Sequence, residues 1–111
     1  MGLAGGELLL EVTKTEVPRG FRLVGELDAS NVGLLSDVLE PEIRKGGNIT
    51  LDLAGLAFMD SSGIQVLVST AQGLHGSGRL VLLSPGELVK RVLSLIPMEK
   101  MANVDIVDDL D

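Results

Sequence analysis

The sequence predicts a single α/β domain with a mixed sheet of about five strands. An antiparallel hairpin leads the sheet, and three main helices pack largely on one face. Three observations carry this expectation. Two strand-like runs near the N-terminus are separated by a short Pro- and Gly-containing turn. Helix-spaced apolar stripes then alternate with short strand-like runs, the pattern of crossovers between parallel strands. The length, 111 residues, suits one ordinary domain. There is no clear internal repeat and no linker, so residues 1–111 are expected to form one unit. Within it, about 8–107 form the ordered core, 1–6 a flexible Gly- and Ala-rich lead-in, and 108–111 an acidic tail.

Leu8 to Glu16 reads as the first strand, and Val17-Pro18-Arg19-Gly20 as a turn, where Pro fixes φ and Gly admits positive φ. Phe21 to Leu27 reads as the second strand, with Phe21, Leu23, Gly25 and Leu27 on one face. So short a connection makes the pair antiparallel. Asp28-Ala29-Ser30-Asn31 offers N-cap candidates, and Val32, Leu35, Val38, Leu39 and Ile43 follow at helical spacing. Pro41 falls inside that stripe and removes the bond to the carbonyl of Asp37, so a kink or an early end is expected. Gly46-Gly47 closes the segment.

Asn48 to Leu53 alternates Ile49, Leu51 and Leu53 against Thr50 and Asp52, which predicts a strand; Ala54 to Asp60 reads as the connection after it. Ser61 then opens a second helix, with Ile64, Leu67, Val68, Ala71 and Leu74 on its inner face and Gly76-Ser77-Gly78 at its end. Leu80 to Leu83 is continuously apolar, as in a strand buried on both faces. Ser84-Pro85-Gly86-Glu87 reads as a capping box with Pro at the first helical position. The third helix is expected to bury Leu88, Val89, Val92, Leu95 and Ile96 and to end at Pro97. A last short strand spans about Val104 to Val107.

Composition narrows the function. With no cysteine and one histidine, His75, the chain has no disulfide, no thiolate metal site, no histidine cluster and no cysteine nucleophile, so no metal or cofactor is expected. Nine Lys and Arg face sixteen Asp and Glu, a net charge of −7, and Phe21 and Phe58 are the two aromatics. Nucleic-acid binding needs phosphate neutralisation and usually stacking platforms, so it is not expected. An acidic surface suits a protein partner better. Four of the acids, Asp105, Asp108, Asp109 and Asp111, fall in the last seven residues, which read as a solvated end. No apolar run approaches a membrane span, and the N-terminus lacks a basic signal region, so a cytoplasmic protein is expected.

Catalysis is not indicated. No phosphate-cradling glycine loop is present. Ser61 and Ser62 lie beside Asp60, but the expected helix carries His75 about 20 Å away, so no direct Ser–His pair forms. The segment that stands out is Phe58-Met59-Asp60-Ser61-Ser62-Gly63. Asp and Ser at a helix start cap the unpaired N–H groups of the first turn. The same position exposes a rigidly aimed hydroxyl that phosphorylation would convert into about −2 of charge. The residues alone leave both readings open.

This segment, following Leu51-Asp52-Leu53 and Leu56, resembles the phosphorylation segment of bacterial anti-sigma factor antagonists, or anti-anti-sigma factors, which are STAS domains. Gly25-Glu26-Leu27-Asp28 is similar to the G-E-L-D segment at the end of that family's second strand. Ser84-Pro85, with Val92 and Leu95 beyond, is similar to the stretch leading into its third long helix. The resemblance covers about residues 8–107. It implies a binding protein that is not itself an enzyme. The unphosphorylated form would bind an anti-sigma factor serine kinase and release a sigma factor. Phosphorylation at Ser61 would end that binding, and a PP2C-type phosphatase would restore it. ATP and Mg²⁺ would belong to the kinase.

The resemblance also implies partner contacts at Asp28, Met59, Asp60, Ser62 and Gly63. Asp28 has a second reading as a helix cap. Ser62 is the alternative acceptor, otherwise a donor at the helix start. Gly63 either admits a partner backbone or is tolerated in a first turn. Phe58 is expected to fill the core and His75 to sit at a helix C-terminus. The alternative within the family is a STAS scaffold or interaction module, in a stress-signalling or transporter-associated assembly, whose serine is never phosphorylated.

Overall fold

The computed structural model describes residues 9–97 and 101–109. Strand β1 (Leu10–Glu16) and strand β2 (Arg19–Leu27) form the antiparallel hairpin, with Leu10 opposite Gly25 and Glu16 opposite Arg19. The Val17–Pro18 peptide in its turn is cis. Helix α1 (Val32–Lys45), strand β3 (Ile49–Met59), helix α2 (Ser61–Leu74), strand β4 (Leu80–Leu83), helix α3 (Glu87–Leu93) and strand β5 (Val104–Val107) follow in order. The sheet runs β1-β2-β3-β4-β5, and every pair after the hairpin is parallel. Each parallel pair is joined through one helix, as a parallel connection requires. Helix α2 touches α1 and α3 as well as β3 and β4, so the helices adjoin in a row. Leu23, Leu51, Leu35, Leu67 and Val89 close one core between sheet and helices.

The expected lead-in at 1–6 and the strand start at Leu8 lie outside the described residues. Elsewhere the structure corrects several expectations. The third strand does not stop at Leu53. It runs to Met59 and takes in the segment read as a connection. Its register against β2 shifts twice, between Arg22 and Val24 and between Gly25 and Glu26. Each shift adds one residue on the β3 side, so the buried positions run Ile49, Leu51, Leu53, then Leu56, then Met59. A period of two becomes a period of three, which a search for alternation misses.

Helix α1 does not end early at Pro41. Asp37, whose carbonyl loses its donor, is exposed, so water can replace the bond. The far end of the helix is also held. Arg19 donates from Nη2 to the Glu42 carbonyl at 2.7 Å, from Nε to Oε1 of Glu42 at 3.1 Å, and from Nη1 to the carbonyls of Gly46 and Asn48 at 2.8 and 3.0 Å.

Strand β4 is not closed on both faces: Leu80 and Leu82 are fully buried, while Val81 and Leu83 are half-covered. No capping box forms at Ser84. That residue takes φ 56°, its N–H donates to the Val107 carbonyl at 2.7 Å, and its hydroxyl donates to the Asp108 carbonyl. Ser84 thus ties the ends of β4 and β5, and α3 starts at Glu87 after Gly86. This later start puts Val89 and Leu93 inside, leaves Leu88 exposed, and places Leu95 and Ile96 beyond the helix. The acidic end is not simply solvated either. Asp105 lies in β5 and accepts two hydrogen bonds from Arg79, at 2.7 and 2.8 Å, and Asp108 meets Lys90 at 3.2 Å.

Candidate functional site

Parallel pairing builds the site. Leu27 at the end of β2 is in register with Met59 at the end of β3. The next residue on each strand is therefore an aspartate, Asp28 on one and Asp60 on the other. The Asp60 N–H donates to the Leu27 carbonyl at 3.2 Å, which holds the two exits together. Carboxyl ends of parallel strands are where α/β proteins place their ligands, because strand ends and helix starts converge there.

Asp60 is the N-cap of α2. Its Oδ1 accepts from the Ser62 N–H at 2.9 Å, and its carbonyl accepts from the N–H groups of Gly63 and Ile64 at 3.0 and 3.4 Å. Three donors of the first turn are thus occupied. Ser61 begins the helix, is exposed, and makes no side-chain hydrogen bond among the described residues. Ser62 is half-buried and faces the groove between α1 and α2.

Asp28 is not the N-cap of α1; that position belongs to Asn31, which makes no side-chain cap. Instead Asp28 Oδ1 accepts from the hydroxyl of Ser30 at 2.6 Å and from its N–H at 2.9 Å. The Ser30 hydroxyl, then its N–H, hold the Asp28 carboxyl below the usual carboxylate range. Asn31 locks the turn from the other side. Its Oδ1 accepts from the Asp28 N–H at 3.0 Å, and its Nδ2 donates to the Glu26 carbonyl at 3.0 Å. Ser30 and Asn31 therefore fix the loop that carries Asp28. Their only trace in the sequence is a run of small polar residues, which a helix cap explains equally well.

Two expected contact residues have internal roles. Met59 is 1% exposed, so it is not an exposed contact. Gly63 is buried; a Cβ there would lie 2.6 Å from Met59 Cγ and 2.9 Å from Leu27 Cδ2. Its missing side chain lets the first turn of α2 seat on the ends of β2 and β3. Phe58, expected in the core, is 37% exposed instead. The second register shift in β3 produces this exchange, turning Met59 inward and Phe58 outward. Phe58, Asp28, Asp60 and Ser61 thus belong to one end of the sheet. His75 is exposed and caps the opposite end of α2, away from Ser61.

The family model for the STAS domain matches residues 10–110. The chain belongs to the STAS domain family. Its relatives there carry regulatory rather than enzymatic names. The chain is 35% identical over 75 residues to the anti-sigma F factor antagonist of Lysinibacillus sphaericus, a match covering 65% of this chain and 64% of that protein. It is 29% identical over 83 residues to the anti-sigma-B factor antagonist of Staphylococcus epidermidis, covering 73% of this chain and 77% of that one. A crystal structure of a candidate anti-sigma factor antagonist from Thermotoga maritima superposes with a TM-score of 0.72 at 28% identity, over 93% of this STAS domain and 89% of the other chain. No helix among the described residues is long and apolar enough to cross a membrane.

Proposed function

We propose that this STAS domain is an anti-sigma factor antagonist, a binding protein rather than an enzyme, acting in the cytoplasm. Unphosphorylated, it binds an anti-sigma factor serine kinase and so releases a sigma factor. Phosphorylation of Ser61 by that kinase ends the binding, and a PP2C-type phosphatase reverses it. The observation that carries this reading is the state of Ser61: an exposed hydroxyl without a bond, at a rigid helix start, between Asp60 in sequence and Asp28 across the strand exits. The named relatives support the same role.

The geometry also gives the switch its physical basis. A helix N-terminus ordinarily welcomes phosphate through its free N–H groups. Here Asp60 already occupies those of Ser62 and Gly63. A phosphoryl group on Ser61 would therefore add about −2 of charge beside a carboxylate and project it to the surface. Release needs only a difference in affinity between the two forms, and a like-charge or desolvation clash over a few contacts supplies it. No rearrangement of the sheet is required.

The test is to incubate the protein with ATP and each serine-kinase anti-sigma factor of its own organism, then locate phosphate by mass spectrometry. Phosphate on Ser61 and its loss in Ser61→Ala are expected. Equal incorporation into Ser61→Ala would overturn the assignment. Pull-down of the same kinase should weaken with Ser61→Asp, although Asp supplies only about half the charge of a phosphate.

A further inference from the structure

Between α1 and α2 lies an open groove of about 520 Å³. Its floor is apolar: Leu39 is fully buried, and Val32, Ile43 and Val66 pack against the core. The α2 wall carries Ser62, Gln65 and Ser69, and the α1 wall carries Asp37 and Glu40. Among the described residues those two carboxylates are the charged groups of the lining, with no Lys or Arg beside them in it. Glu40 meets Arg44 at 3.7 Å, but both side chains are about 70% exposed, so solvent screens the pair. Asp37 makes no ion pair among the described residues. At the upper end, where Ala29 and Ser62 line the groove, Asp28 precedes Ala29, and Asp60 and Ser61 precede Ser62.

We infer that this groove is a docking site for a basic, amphipathic segment of the protein partner. Such a segment would lay apolar side chains on the Leu39 and Val66 floor and place an arginine or lysine against Asp37 and Glu40. Charge complementarity selects the occupant, since an apolar floor beside Asp37, which makes no ion pair among the described residues, and Glu40, whose pair with Arg44 is solvent-screened, disfavours acidic chains and favours cations. The inference rests on the proposed function and adds a second contact to it. Ser62 lines the groove, whereas Ser61 does not. A basic segment in the groove is not repelled by phosphate on Ser61. The groove would therefore supply affinity common to both forms, and the loss of affinity at the Ser61 surface is what lets the phosphorylated form release its partner.

The test compares two charge reversals of equal size in binding to the organism's own anti-sigma factors. The double variant Asp37→Lys/Glu40→Lys alters the groove; Glu11→Lys/Glu16→Lys alters exposed positions on β1 that do not line it. The groove variant should weaken binding about tenfold and flatten its salt dependence, with the β1 variant changing it by less than about twofold. Equal effects from both variants, or no effect from either, would overturn the proposal.

A second measurement does not depend on the function. ¹H–¹⁵N NMR titration with an acetylated leucine–arginine dipeptide amide should shift the amides of Asp37, Glu40, Ser62, Val66 and Ser69, and the Asp37→Lys/Glu40→Lys protein should lose those shifts. Shifts scattered over the surface would count against the groove. If no anti-sigma factor binds the wild-type protein, the functional reading fails while this titration still decides the groove.

Discussion

Where the parallel strands begin, long side chains tie together segments far apart in sequence; where they finish, most bonds join near neighbours and a serine hydroxyl is left free. At the first end Arg19 reaches Glu42, Gly46 and Asn48. Arg79 grips Asp105 and donates to the Ala102 carbonyl at 3.0 Å, and Asn103 donates to the carbonyls of Ala71 and Gly78. Around Ser61 at the other end, Asp28, Ser30, Asn31, Asp60 and Ser62 bond across two to five residues, with one backbone link from Asp60 to Leu27, and the long-range ties of that end lie apart from it, where Ser84 bonds to Val107 and Asp108. The braced end holds the sheet while the free end presents chemistry.

This contrast can be broken from either side. The largest effect is expected from Gly63→Val, which drives a side chain into Met59 and Leu27. Overpacking of this kind costs about 3 kcal/mol, read from urea unfolding, and should also displace Ser61 and abolish partner binding. Next comes Arg19→Met. It removes four hydrogen bonds and leaves Glu42, 7% exposed, with Lys14 and Lys45 as its ion-pair partners among the described residues. The urea midpoint should fall clearly, though less than for Gly63→Val, and phosphorylation of Ser61 should continue in the folded fraction.

Acid should also act on the braced end, as on Asp28 at the other. Lys45, then Arg19 and Lys14, hold the Glu42 carboxyl below its ordinary range, and Arg79 does the same for Asp105. A carboxylate depressed in the folded state contributes stability above its unfolded value, near pH 4, and that stability is lost as pH falls through the folded value. Unfolding at pH 7 and pH 3 should therefore show a loss for wild type and a smaller loss for Glu42→Gln. The smallest effect on stability belongs to Ser61→Ala, expected within about 0.5 kcal/mol because Ser61 is exposed and unbonded. The same change should remove phosphorylation entirely. A marked loss of stability in Ser61→Ala would mean that the free end is structural after all.

Much of this was legible in the residues. The hairpin, the α2 stripe from Ile64 to Leu74 and the strands Leu80–Leu83 and Val104–Val107 follow local periodicity, and all are present. The second half of β3 was not legible, because its two register shifts depend on pairing with β2 and break alternation. The apparent capping box failed because Ser84 bonds to β5, a segment more than twenty residues later. Glu42 and Arg19 gave no signal, since a buried carboxylate paired with a half-buried arginine looks in sequence like two surface charges. At the site, Asp60 as cap and Ser61 as helix start were readable from local chemistry. The roles of Met59, Gly63 and Phe58 were not, because they depend on which way the last residues of β3 turn.

By itself, then, the sequence determined the order of elements, the mixed sheet and the position of Ser61 at a helix start, because periodicity and capping act over a few residues. Tertiary structure alone decided that Asp28 adjoins Asp60, that Met59 faces in and Phe58 out, and that α1 and α2 leave an acidic groove between them. Those outcomes are set by strand register and helix packing, interactions between residues distant in the chain that no local window contains.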